Sequence, residues 1–183
     1  MIIETERLIL RPIEEKDDKD IFEYSKVRTV GKNAGWKPHE SIVETREIMK
    51  ELFLGKKGIF GIVVKETNRL VGTIGLTADP ARNNDGAKML GYALAENCWG
   101  HGYMTEAAKA VIHYGFTILE ADIITVNCYT HNTRSERVIR NCGFQYEGTL
   151  RECQNDFEGE VHDCAFYSMT ADEYEAKAEE IRF

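Results

Sequence analysis

"AKMLGYALAENCWGHGYMTEAAKAVIHYGFTILEADIITVNCYT", residues 87–130, decides the fold. Residues 87–95 read as a strand, Thr105 to about Leu119 as a helix, and "ADIITVNCYT" as a second strand. A strand, helix and strand of these lengths imply a right-handed crossover between two parallel neighbours. Gly100 and Gly102 bracket His101 where the helix begins, although glycine is the poorest helix former after proline. A helix start offers orphan N–H groups and the positive end of the dipole, which together favour an anion. Without Cβ atoms, the main chain there is open to close approach by phosphate oxygens. The same pair also suits a tight strand-to-helix turn that needs positive φ.

Outward from this unit the pattern alternates between sheet and helix. "TERLILRPI" sets Leu8 and Leu10 against Arg7, Ile9 and Arg11, as a strand does. "EEKDDKDIFEYSKV" reads as a helix, followed by a loop through Gly31, Gly35 and Pro38. "ESIVETREIMKELFL" is a better helix, with an apolar stripe that includes Ile42, Ile48 and Leu52. Two β-rich runs around Thr67-Asn68 form a hairpin, and residues 79–86 a polar surface loop. After the crossover comes a short helix at "TRSERVIRNC", with Thr133 and Glu136 at capping-box spacing and Gly143 as its stop. Strands near 144–152 and 161–169 and an acidic helix from about Ala171 close the chain. The sum is an α+β domain with a mixed sheet.

Bulk properties narrow the function classes. A chain of 183 residues suits one domain with a core of its own. Its formal net charge of -8 argues against nucleic-acid binding; it would draw cationic partners such as amines, although an acidic balance more often just keeps a protein in solution. The N-terminal stretch carries Glu4, Glu6, Arg7 and Arg11, unlike a signal peptide, and no uncharged apolar run is long enough for a membrane. Five cysteines without a C-x-x-C read as reduced, packed thiols of a cytoplasmic protein. The five histidines lack ligand spacing, so no metal is expected.

Two phosphate-binding motifs fit badly. No G-x-x-x-x-G-K-[ST] string exists, and the dinucleotide fingerprint lacks its third glycine, replaced by Thr105. "LGYALAENCWGHGYMTEAAKAVIHYGF" with "NCYTHNTRSERVIRNCGFQYEGTLRE" resembles the GNAT acetyltransferase superfamily, and within it the branch of ribosomal-protein N-terminal (alanine) acetyltransferases. The likeness runs from "TERLILRP" to "HDCAFYSM", nearly the whole chain. It implies one domain over residues 1–183, with a mostly antiparallel mixed sheet flanked by helices around a central βαβ acyl-CoA unit. The family's Q/R-x-x-G-x-G/A motif falls on Trp99, Gly102 and Met104, departing from it at Trp99 and Met104.

Carried over by position, the resemblance implies acetyl-CoA as cosubstrate. Main-chain groups of Tyr92 and Leu94 would pair with the pantetheine arm, and Gly100, His101, Gly102, Met104 and Thr105 would hold the pyrophosphate. Asn132 and Ser135 would reach the pantetheine or its sulfur end. Spacing also sets Ser135 at the open end of the face carrying Val138, Ile139 and Cys142, although a first-turn serine can simply bond its own backbone.

Transfer to an amine needs a neutral nucleophile, donors for the developing oxyanion (a main-chain N–H near Leu94 is a candidate) and a proton for the leaving thiolate. Many family members place a tyrosine acid where this chain has Ile139, and some a glutamate base where it has Asn127. In the resembling branch a serine takes the acid role, which falls on Ser135. No base is assigned; Glu152, Asp156 and Glu158 are the nearby carboxylates. The expected activity is direct acetyl transfer to a primary amine, either a protein N-terminus or a small cationic molecule. The alternative is a CoA-binding module without catalysis. An exposed strand edge is compatible with a homodimer.

Overall fold

The structure is a computed structural model; it describes the backbone of residues 1–181 and the side chains of residues 1–177. Strands β1 (Ile3–Glu4) and β2 (Leu8–Arg11) open the chain, followed by helices α1 (Asp18–Ser25), α2 (Arg28–Ala34) and α3 (Ile42–Leu52). Then come β3 (Ile59–Val64), β4 (Arg69–Ala78), β5 (Ala87–Leu94), helix α4 (Tyr103–Thr117) and β6 (Ile123–Tyr129). Helix α5 (Thr133–Asn141), strands β7 (Gln145–Asn155) and β8 (Val161–Thr170) and helix α6 (Ala171–Ile181) complete it. The eight strands form one sheet in the order β1-β2-β3-β4-β5-β6-β8-β7. Every neighbouring pair is antiparallel except β5 and β6.

Side-chain alternation sends the sheet's two faces into two cores. Leu8 and Leu10 join Ile62, Ile74 and Ile124 beneath α4, while Ile9 and Val63 face Ile21, Tyr24 and Met49 of the α1 and α3 side. Helix α4 lies close against its face because Ala107, Ala108 and Ala110 are all fully buried; their small side chains shorten the helix–sheet distance. Tyr174 of α6 stacks on Phe116 of α4 with ring centroids 4.7 Å apart, so the acidic helix covers the outer part of that layer.

The feature that positions the site is a seam. Strands β5 and β6 pair only at Ala87↔Ile123, Lys88↔Ile124 and Met89↔Thr125. Beyond that rung β5 runs on to Leu94 and β6 to Tyr129 without pairing each other. Thr125 Oγ1 marks the last rung, donating to Asp79 Oδ2 at 2.8 Å in a buried contact.

Three local expectations need correction. The segment expected as a loop through Gly31 contains α2, which Gly35 ends in the left-handed conformation at φ 82°. Helix α5 is capped by Asn132, whose side chain accepts from the Ser135 amide at 3.1 Å, and not by Thr133. In α3 the deepest residues are Thr45 and Met49, and Leu52 is exposed, because the helix turns its Thr45–Met49 edge inward.

Candidate active site

Where β5 and β6 part, a cleft of about 890 Å³ opens between them, within the usual range for a small-molecule site. Backbone direction along β5 decides what faces it. Ala87 O accepts from Asp79 and the Ala95 amide donates to Val71 O, both on the β4 side. Lys88 O instead faces Thr125 Oγ1 at 3.4 Å, on the β6 side. Strand alternation therefore aims the main-chain groups of Leu90, Tyr92 and Leu94 at the edge where β6 has turned away. The Leu94 carbonyl is taken by Trp99 Nε1 at 2.9 Å, which leaves its N–H.

At the same mouth α4 begins. Its first helical bond runs from the Glu106 amide to Gly102 O at 3.1 Å, so the amides of Tyr103, Met104 and Thr105 precede the ladder. Gly102, the N-cap, has φ 80° and brings no side chain to satisfy them. Gly100 also has φ 80°, and a Cβ there would meet nothing within 4 Å. Glu106 in this first turn would oppose an anion, but Arg7 lies 2.6 Å from its Oε2. Burial raises the Glu106 carboxyl pKa, yet hydrogen bonds from Thr5 and Arg7 outweigh it and hold the group below the ordinary value. Arg7 Nη1 also donates to His101 O at 2.8 Å, fixing the loop.

Of the residues singled out from sequence, Tyr92, Leu94, Gly100, Gly102, Met104, Thr105, Asn132 and Ser135 all line the cleft. His101 is not among the lining residues; its ring stacks on Tyr103 and its carbonyl belongs to Arg7. Asn132 is committed at both ends, accepting from the Ser135 amide and donating to Asn33 O at 3.4 Å, which ties α5 to α2. Ser135 Oγ lies 2.7 Å from the Tyr92 hydroxyl. Burial raises the Tyr92 pKa, and the neighbouring Cys128 thiol is pushed up to about 11 by the same cause. Both stay protonated near neutral pH.

Sequence reasoning missed other lining groups. Arg134 and Arg137 of α5 face the cleft, the first with its guanidinium 4.2 Å from the Trp99 ring centroid. They are the only lining residues of full charge among the described ones, and no Asp, Glu or His lines the cleft. The excess of acidic residues therefore lies elsewhere. Polar spacing at a helix start could have suggested the two arginines; nothing local marks Tyr129 and Gln154, which also line it.

A profile of the acetyltransferase (GNAT) domain matches residues 7–145. The chain belongs to the GNAT acetyltransferase family. It is 33% identical over 174 residues to "Uncharacterized N-acetyltransferase p20" of Bacillus licheniformis, covering 93% of this chain and 96% of that one. A crystal structure of a GNAT-family acetyltransferase from Bacillus anthracis superposes with a TM-score of 0.84 at 28% identity, covering 94% and 100% of the two chains. A ribosomal-protein-S5-alanine acetyltransferase from Vibrio fischeri shares the fold, with a TM-score of 0.73 at 22% identity over 95% and 98%. The GNAT chain is thus an acetyltransferase, of a family that uses acetyl-CoA. Ile139 is 1% exposed in the core and cannot serve a cleft, whereas Asn127 lines it with a neutral amide. No described helix is long and apolar enough to cross a membrane.

The nearby carboxylates do not line the cleft. Glu158 pairs with Arg28 and Lys32 of α2, and the Lys32 ammonium also lies 2.7 Å from Glu160 and 3.7 Å from Asp156. Asp156, Glu160 and His162 bring ligand atoms within 4.8 Å of one another, but the ammonium already serves that charge. Glu152 sits at φ 49° in the irregular part of β7 and is exposed. The His162 ring at 3.0 Å, with the amides of Glu158 and Glu160, holds the Asp156 carboxyl down at about 2 against the cost of burial. Because this value is below the unfolded one near ~3.9, the stabilisation is full above about pH 4 and disappears as pH falls through about 2. Asp156→Asn therefore lowers Tm at neutral pH, and thermal melts of both proteins converge as pH approaches 2.

Proposed function

We propose that the protein transfers the acetyl group of acetyl-CoA directly to the α-amine of a peptide or protein N-terminus in a ternary complex. The observation that carries the acceptor class is a cleft lined by neither carboxylate nor imidazole. With no carboxylate or imidazole among the lining residues, the amine is taken to lose its proton to water before it attacks. At pH 7 about one α-amine in ten is neutral, against roughly one in 2,500 lysine-type amines. The lining also lacks the negative charge that a polyamine or other polycation needs. The Vibrio fischeri neighbour, a ribosomal-protein-S5-alanine acetyltransferase, agrees with this class.

Acetyl-CoA supplies an acyl group activated as a thioester; the residues of this chain bind and orient it. The amides of Tyr103, Met104 and Thr105 and the bare turn at Gly100 and Gly102 suit its pyrophosphate, with Arg134 and Arg137 adding positive charge. The open edge of β5 at Tyr92 and Leu94 suits the pantetheine amides. The Tyr92 hydroxyl, kept protonated by burial, shares a hydrogen bond with Ser135 Oγ at 2.7 Å; with Tyr92 as its donor, the Ser135 proton is free for the leaving sulfur. The five cysteines are all free thiols, which supports a reducing, cytoplasmic setting.

Thiol release from acetyl-CoA with an alanine-headed hexapeptide tests this reading. We expect kcat/KM for the peptide to rise with pH and level off near ~8, following the α-amine itself. A rate that levels off below pH 6 means that the protein supplies a base. Calorimetric binding of acetyl-CoA without turnover of this peptide overturns the α-amine as acceptor.

A further inference from the structure

We propose that the Tyr129 hydroxyl, with Gly35 and Gln154 beside it, seats the acceptor amine. Tyr129 closes β6 and is 4% exposed, yet its hydroxyl is buried without a hydrogen-bond partner among the described residues. A buried phenol left unpaired is destabilising by more than most single contacts contribute, so its persistence at a cleft wall points to a partner from outside the chain. Gly35 packs closely against that hydroxyl, and a side chain there would crowd it. A Cβ built there would sit 3.3 Å from the Tyr129 hydroxyl and 3.2 Å from Gln154 Nε2. At φ 82° the position also suits glycine on conformational grounds.

The surroundings hold this seat rigidly. The Tyr129 ring packs against both His131 and His162, with centroids at 5.4 and 4.8 Å, the two imidazoles lie 4.9 Å from each other, and Asp156 holds His162 at 3.0 Å. Helix α2, which carries Gly35 at its end, is tied to the β7–β8 turn through Lys32 and Arg28 and to α5 through Asn132. Tyr129 and Ser135 line the same cleft, and the Asn132 amide bonds back to Tyr129 O at 2.9 Å. The seat and the proposed acid are thereby joined by one short turn. A neutral phenol oxygen can accept one N–H of a neutral amine and leave the nitrogen lone pair for attack. It offers no charge to an ammonium. Tyr129 is therefore a positioning residue for the acceptor, not a base.

This inference rests on the α-amine reading above, and steady-state kinetics with acetyl-CoA and the alanine-headed hexapeptide separate the two. Tyr129→Phe keeps the ring and removes the oxygen, so it should fold as the parent does. We expect its peptide KM to rise about 10-fold or more, with the acetyl-CoA KM within about twofold of the parent. Gly35→Ala, which sets a methyl 3.3 Å from the hydroxyl, should raise the same KM, and Gln154→Ala raise it about threefold. An unmoved peptide KM in Tyr129→Phe, or equal changes in both KM values, overturns the seat while leaving the α-amine reading intact. A wild-type protein that binds acetyl-CoA and never acetylates the peptide overturns both.

Discussion

Ser135→Ala is expected to lower kcat by about 100-fold or more while changing the acetyl-CoA KM by less than about threefold. The expected size follows from the chemistry of the leaving group. A thiolate expelled into a cleft where burial pushes one lining thiol, Cys128, up to about 11 needs a proton donor at hand. Ser135 Oγ is half-buried, lines the cleft and has the Tyr92 hydroxyl 2.7 Å behind it. Removing that oxygen should leave the fold alone: the Asn132 cap binds the Ser135 amide, which alanine retains. Tm should therefore stay within about 2 °C of the parent. Tyr92→Phe, which removes the donor that frees the serine proton, should lower kcat about 10-fold. A Ser135→Ala enzyme with kcat unchanged within twofold removes the serine from the chemistry and returns the proton to water.

The second large effect belongs to Gly100. Gly100→Val should weaken acetyl-CoA binding about 10- to 100-fold in a calorimetric titration. Two causes act together. A branched residue at φ 80° is strained by about 1–2 kcal/mol or more, and its methyls project into space that is empty around this loop. That empty space is where the diphosphate is proposed to lie. The stability loss alone lowers Tm by a few degrees, so binding should be measured well below the transition. Gly102→Val is the less clean variant, because its Cβ would approach Arg7 Nη2 at 3.3 Å and disturb the Glu106 tie. If Gly100→Val binds acetyl-CoA as the parent does, the diphosphate lies elsewhere.

Much of the crossover was legible because its signals are local. Two glycines at a helix start, an alanine-rich inner face and flanking β-rich strands each act within a few residues, and residues 87–130 fold as they read. Helix α2 was not legible. Its sequence, RTVGKNA, combines β-branched residues, a glycine and an asparagine, all poor helix formers. It is held by contacts far away in the chain, among them Val30 in the core and Lys32 among the carboxylates at 156–160. The same distance hides Tyr129. In β6 it is one more large side chain in an apolar strand, and only Gly35 and Gln154 reveal what its hydroxyl faces. Charge misleads for a related reason. A net charge of -8 suggests attraction of cations, yet the cleft draws its charged groups from Arg134 and Arg137 alone among the described residues.

The parting of β5 from β6 has a consequence for how such a protein can change over generations. On the proposed reading, the donors and acceptors it exposes at Tyr92, Leu94 and Tyr103 to Thr105 belong to the peptide bond, which every amino acid brings. Mutation can exchange most side chains along that wall without touching the grip, provided the turn keeps its two glycines. The opposite wall, built from Tyr129, Gly35 and Gln154, has no such insurance. Descendants of one ancestor can thus retain a common acyl donor while diverging freely in what they acetylate.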